Sequence, residues 1–95
     1  PMSVLMQMTH ILQAAFAPVL CTVLDESFKH AGHAGARPGG ETHFHVTLVS
    51  DAFEGLSRVE RHRRVHEVLK PCLENGVHAL ALSLSAPGEG RLKAG

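Results

Sequence analysis

The chain places eight histidines in 95 residues. Imidazole is the commonest metal ligand and titrates near neutral pH, so their spacing is the first chemical question. His30 and His33 lie in a Gly- and Ala-rich stretch, SFKHAGHAGARPGG, and His78 follows Asn75-Gly76 at the head of the alternating segment VHALALSLS. His43 and His45 stand two apart in THFHVTLVS. In a strand that spacing puts both rings on one face, where they read as a solvated pair that binds metal adventitiously at most. Cys21 and Cys72 are far apart and neither belongs to a C-x-x-C pair. That excludes a disulfide framework and a zinc ribbon, and fits a reducing compartment. Catalysis finds no support, because no Ser-His-Asp or Cys-His pairing carries an accompanying motif. Asp25 and Glu26 are adjacent, so in a strand they point to opposite faces. The chain reads as a non-enzyme.

The elements that must position these histidines follow from the pattern of apolar residues. Residues 3–17 repeat them every three or four positions, with Ser3 as cap and Pro18 as stop. Residues 19–25 are β-branched and apolar, which predicts a strand. The long stretch after them reads as a loop, of a length that usually serves function. Residues 42–50 alternate, with Phe44, Val46 and Leu48 on the packed face and His43, His45 and Thr47 on the wet one. After a turn at 51–56, Ser57 and Glu60 form a capping box, opening a helix that runs to about Glu74. Pro71 should bend its last turn, and Asn75-Gly76 should end it. Residues 77–85 predict a third strand, with His78 on the face of Leu80, Leu82 and Leu84. The tail after 85 is polar and Gly-rich and reads as frayed.

This order gives an antiparallel pair of strands followed by a helical crossover. The last strand then runs parallel to the second, beneath a right-handed connection. The expected fold is α+β: a three-stranded mixed sheet with helices on one face, in a single domain over 1–95 whose ordered core is about 3–85. A chain of this size buries roughly 60–65% of its unfolded surface, enough for one aliphatic core. The parallel crossover also carries His78 to the end of the sheet where the loop of His30 and His33 finishes. His43 and His45 face away and are poor candidates for the same site. Two imidazoles are half a metal centre, since zinc and iron–sulfur iron take four ligands; the others must come from a partner or a cofactor.

Four stretches, DESFKH (25–30), ETHFHVTLVSDAFEGLS (41–57), VERHRRVHEVL (59–69) and VHALALS (77–83), together resemble the BolA-like family. The resemblance implies an αββααβ, class II KH-like fold. It implies a monothiol glutaredoxin partner and a shared 2Fe–2S cluster, with glutathione supplied through that partner. The family's strand histidine maps onto His78. Its loop ligand maps onto His30 when counted from Asp25 and onto His33 when counted back from Glu41; we favour His30 and keep His33 open. Arg61, His62 and Arg63 are the corresponding partner-binding candidates. Members of the family often end in a further helix, against which Pro87-Gly88 and the short tail argue.

Charge favours this reading over its rival, a nucleic-acid-binding transcriptional regulator. Nine Lys and Arg balance nine Asp and Glu, so nothing draws the chain generally to nucleic acid or anionic membrane. Arg58, Arg61, Arg63, Arg64 and Lys70 share one helix, but Arg63 and Lys70 alternate with Glu60, Glu67 and Glu74 as a solvated ion-pair face. The G-x-x-G at Gly32–Gly35 falls in the strand–strand loop rather than between helices, and reads as coincidence. No apolar run is long enough to span a membrane. No signal segment opens the chain, so the expected compartment is the cytoplasm. Pro1 before Met2 reads as an added residue, and removal of an upstream targeting segment would move the expectation to an organelle such as the mitochondrion. A homodimer bridged by one metal is a further arrangement that the histidines allow.

Overall fold

Ser3 accepts a hydrogen bond from the Met6 amide at 3.1 Å and opens helix α1, Val4–Phe16, satisfying one of the first-turn donors that lack a helical partner. A computed structural model describes residues 2–30 and 40–89. Ala17 closes α1 in the left-handed region, φ 42°, and its amide returns to the Gln13 carbonyl. Strand β1 runs Leu20–Asp25 and leads into a 3-10 turn, Ser27–His30. Strand β2 is His43–Val49, followed by a second 3-10 turn, Asp51–Phe53. Helices α2, Arg58–Val68, and α3, Lys70–Leu73, lead to strand β3, Ala79–Ser85. The order is αββααβ, as the resemblance implies.

The long helix expected over 57–74 is in fact two. Pro71 lacks an amide proton, and its ring crowds the carbonyl four residues back. The chain leaves helical register at Leu69 and restarts, with Pro71 in the first turn of α3. Break, rather than bend, is the outcome. The sheet has the predicted mixed topology in the order β1-β2-β3. β1 pairs antiparallel with β2 and β3 parallel with β2, with His43 opposite Ala79 and Val49 opposite Ser85.

The alternation in β2 is visible as burial. Phe44, Val46 and Leu48 are buried, while His43, His45, Thr47 and Val49 are half-buried on the open face. Met8, Leu12 and Phe16 of α1 meet Phe53, Val65, Leu69 and Cys72 over the inner face of the sheet. Ala86 is 1% exposed, so the packed structure extends past the expected limit at residue 85.

Ser50 ties this core to the end of the first helix. Its hydroxyl is fully buried, donates to the Phe16 carbonyl at 2.6 Å and accepts from the Ala52 amide at 3.0 Å. Removing it orphans a buried carbonyl and an amide. A Ser50→Ala variant is expected to lose about 1–2 kcal/mol in denaturant unfolding; unchanged stability would show that solvent satisfies both groups.

Candidate metal centre

His78 stands immediately before β3 rather than inside it. Its amide donates to the Thr42 carbonyl at 2.7 Å, and the Ala79 amide reaches the same oxygen at 3.2 Å. These bonds hold the His78 backbone against the residue that precedes β2, and leave the side chain exposed. The parallel crossover therefore delivers His78 to the end of the sheet expected for it.

A polar network built on Asp25 defines the same end of the sheet. Oδ1 accepts from the Ser27 amide at 2.9 Å and the Ser27 hydroxyl at 2.5 Å, and Oδ2 accepts from the Glu41 amide at 3.0 Å. Ser27 Oγ accepts in turn from the amides of Thr42 and His43, at 2.9 and 3.1 Å. Both ends of the segment between β1 and β2 are thereby clamped to one carboxylate. Gly40, at φ +75°, sits where a Cβ would come within 3.0 Å of Asp25 Oδ2. Glu41 follows at φ 63°, and this left-handed pair turns the chain back into β2. Burial alone would raise the Asp25 pKa, but the hydrogen bonds from Ser27 and Glu41 and the nearby charge of His43 outweigh it and hold the carboxyl below its ordinary value.

His43 departs most from expectation. It heads β2 on the open face, yet its ring lies 6.2 Å from that of His78, centroid to centroid, at an interplanar angle of 38°. Strand alternation sets the face of His43 but does not govern His78, one residue outside its strand. His45, by contrast, bonds through Nε2 to Ser83 Oγ at 2.9 Å on the open face. The 3-10 turn Ser27–His30 meets β2 through Ser27, whose Oγ accepts from the His43 amide, at the same end of the sheet as His78. His33 lies outside the described residues, so both loop candidates stay open. Neither cysteine adds a donor here: Cys21 stands opposite Leu48 toward the other end of the sheet, Cys72 is packed in the core, and burial pushes both thiols up. Among the described residues no three His, Cys, Asp or Glu gather as a metal site, and no helix is long and apolar enough to cross a membrane.

The trio Arg61, His62 and Arg63 divides. Arg61 is engaged within the chain. Its Nε donates to the Leu56 carbonyl at 3.0 Å, and its guanidinium forms a two-pronged pair with Glu89 at 2.7 and 2.8 Å. The same group lies 6.0 Å from the Phe53 ring centroid, and only 13% of the side chain is exposed. The Glu89 carboxylate, against the cost of burial, holds this guanidinium even more firmly charged than usual. This pair also orders Ala86–Glu89, the start of the tail expected to fray; residues 90–95, where the family's further helix would lie, are outside the described residues. His62 donates from Nδ1 to the Arg58 carbonyl at 2.9 Å. Arg63 and Arg64 both reach Glu60 at 3.4 Å on an exposed face; the charge pattern predicted the first of these pairs and not the second, and such pairs contribute about 0.3–0.5 kcal/mol each.

A family model described as BolA-like protein matches residues 12–89. The chain belongs to the BolA-like family. It is 50% identical over 76 residues to an uncharacterized protein in the cobS 5' region of Sinorhizobium sp., covering 79% of this chain and 82% of that one. It is 48% identical to the DNA-binding transcriptional regulator BolA of Escherichia coli K12, over 75% of this chain and 64% of the regulator. The solved BolA domain of SufE1 from Arabidopsis thaliana superposes with a TM-score of 0.83 at 40% identity, covering 94% of this BolA-like chain and 98% of that domain. Against several plant and animal relatives the chain spans about half of their length, 53% and 56% in two cases. Relatives include chloroplastic and mitochondrial proteins.

The Asp25–Ser27–Thr42 network was not foreseen from the sequence. The signal was available: Asp-x-Ser at 25–27 is a turn in which the carboxylate receives the serine two positions on.

Proposed function

We propose that this BolA-like chain is a non-enzymatic adaptor that pairs with a monothiol glutaredoxin and holds one side of a shared 2Fe–2S cluster. It would act in iron–sulfur cluster assembly, trafficking or iron regulation. His78 supplies one imidazole, and His30 or His33 the other. The partner's cysteine and glutathione supply two thiolates, and two imidazoles opposite two thiolates is an established ligand set for such a cluster. The observation that carries this reading is His78 itself: an exposed imidazole on a backbone pinned by Thr42, at the end where the histidine-bearing segment is clamped. The donor set fits, because the chain offers imidazoles there, while Cys21 stands opposite Leu48 toward the other end of the sheet and Cys72 is packed in the core. The cytoplasm is the proposed compartment, with an organelle as the alternative that the chloroplastic and mitochondrial relatives favour.

Co-expression with a monothiol glutaredoxin tests the proposal. The expected result is a coloured one-to-one complex whose visible spectrum differs from that of glutaredoxin alone. A colourless complex, or no complex, sinks it.

The E. coli relative supports a second reading, transcriptional regulation through nucleic acid. Arg58, Arg63, Arg64 and Lys70 would supply the phosphate contacts, whereas Arg61 is already engaged with Glu89. Three or four such contacts predict a log–log slope of affinity on salt of about −3 to −4 on duplex DNA. Binding that is undetectable at low salt removes this reading.

A further inference from the structure

We infer that His43 and His78 form a binding site for a single divalent transition metal, zinc being the reference ion, within this chain alone. The site needs neither glutaredoxin nor a cluster, so its failure leaves the cluster reading standing, and the converse also holds.

Geometry is the first support. Two imidazoles on one tetrahedral zinc, with Zn–N near 2.0–2.1 Å, set their ring centroids roughly 5 Å apart. The observed separation is 6.2 Å, so closure of about 1 Å completes the pair. The His78 ring is exposed, and its side-chain torsions can supply that movement while its backbone stays bonded to Thr42. His43 is fixed more firmly: its amide is held by Ser27 Oγ and its carbonyl accepts from the Glu26 amide at 2.7 Å.

The second support is the chain of groups behind His43. Metal-binding histidines characteristically hand their other ring proton to an oxygen that orients the ring and raises its basicity. His43 Nδ1 lies 2.8 Å from Thr42 Oγ1, which is fully buried. Thr42 Oγ1 lies 3.3 Å from Ser27 Oγ, and Ser27 donates to Asp25. A metal at Nε2 selects the tautomer in which Nδ1–H donates to Thr42, the Thr42 hydroxyl turns to Ser27, and the relay ends on a carboxylate already held ionised. The Thr42 hydroxyl then makes the longest contact of the relay, 3.3 Å, to a Ser27 Oγ that already accepts from the Thr42 and His43 amides. Nothing comparable stands behind His45, whose Nε2 is engaged with Ser83.

Among the described residues no third His, Cys, Asp or Glu joins the pair. Two imidazoles alone suit a weakly held, exchangeable ion, not a structural zinc, which takes four protein ligands.

Zinc titration of the whole chain, followed by calorimetry and by ring nitrogen shifts in NMR, tests the site. One equivalent should bind, with His43 Nε2 and a His78 nitrogen shifting while His43 Nδ1 keeps its proton. His43→Gln and His78→Gln should each weaken binding at least tenfold. Thr42→Val, which keeps the buried volume and removes the hydroxyl, should weaken it about tenfold. His45→Gln should leave it unchanged. Unshifted His43 ring nitrogens in the wild type overturn the proposal, and that readout requires no variant to fold. So does zinc binding that survives His43→Gln intact, which would mark adventitious capture by other histidines.

Discussion

His78→Ala is expected to abolish the cluster spectrum of the glutaredoxin complex while leaving the BolA-like fold in place. The substitution removes one of four proposed ligands outright, and neither cysteine stands near enough to replace it: Cys72 is buried in the core and Cys21 pairs with Leu48 toward the other end of the sheet. The fold should tolerate the change, because what His78 gives the sheet is its amide bond to Thr42, which alanine keeps. Thermal unfolding should therefore shift by no more than about 0.5 kcal/mol, as for surface positions generally. The measurement is visible circular dichroism on the size-separated heterodimer, so that clusters held by glutaredoxin alone do not contribute. A His78→Ala complex with the wild-type spectrum would end the ligand assignment. Parallel His30→Ala and His33→Ala complexes decide the loop ligand, since one should lose the signal and the other keep it. His43→Gln should retain the cluster, which separates this centre from the zinc pair.

The fold was legible because its elements are defined by period and punctuation. Ser3, Pro18, Ser57 and Asn75-Gly76 bound the helices near where the structure ends them, and strict alternation in THFHVTLVS and ALALSLS gave both faces of the sheet. The parallel placement of His78 beside the start of β2 followed from topology alone. What was not legible lies at element ends. Alternation says which face a strand residue takes, but His78 precedes the first strand residue, so its ring was free to approach His43. The Pro71 break required weighing a lost amide against helix continuity, and Leu69, which is fully buried, anchors the restart. The Arg61–Glu89 pair was not legible, because Glu89 lies 28 positions away in a tail expected to fray. Long-range polar pairing leaves no periodic trace in sequence.

Asp25→Asn should unfold at lower temperature than the wild type and lose part of the wild type's acid sensitivity. The carboxylate serves three donors with two oxygens: Ser27 from its amide and hydroxyl at Oδ1, and the Glu41 amide at Oδ2. An asparagine keeps one acceptor oxygen and turns an amino group toward a backbone N–H, so at least one clamp opens. Hydrogen bonds to charged groups contribute about 1.5–3 kcal/mol, which sets the expected loss at about 2–3 kcal/mol at pH 7. In a domain this size that lowers the melting temperature by on the order of 10 °C or more. The pH dependence identifies the cause. The folded-state pKa of Asp25 lies below its ordinary 3.8, so its charge stabilises the native state in full above that value. That contribution is lost as pH falls through the depressed folded value. The gap between wild type and Asp25→Asn should therefore stay constant from pH 8 to about 5 and narrow below about 4. A gap that persists undiminished at pH 3 would show that shape, not charge, holds the clamp, and with it the end of the sheet where His43 and His78 meet.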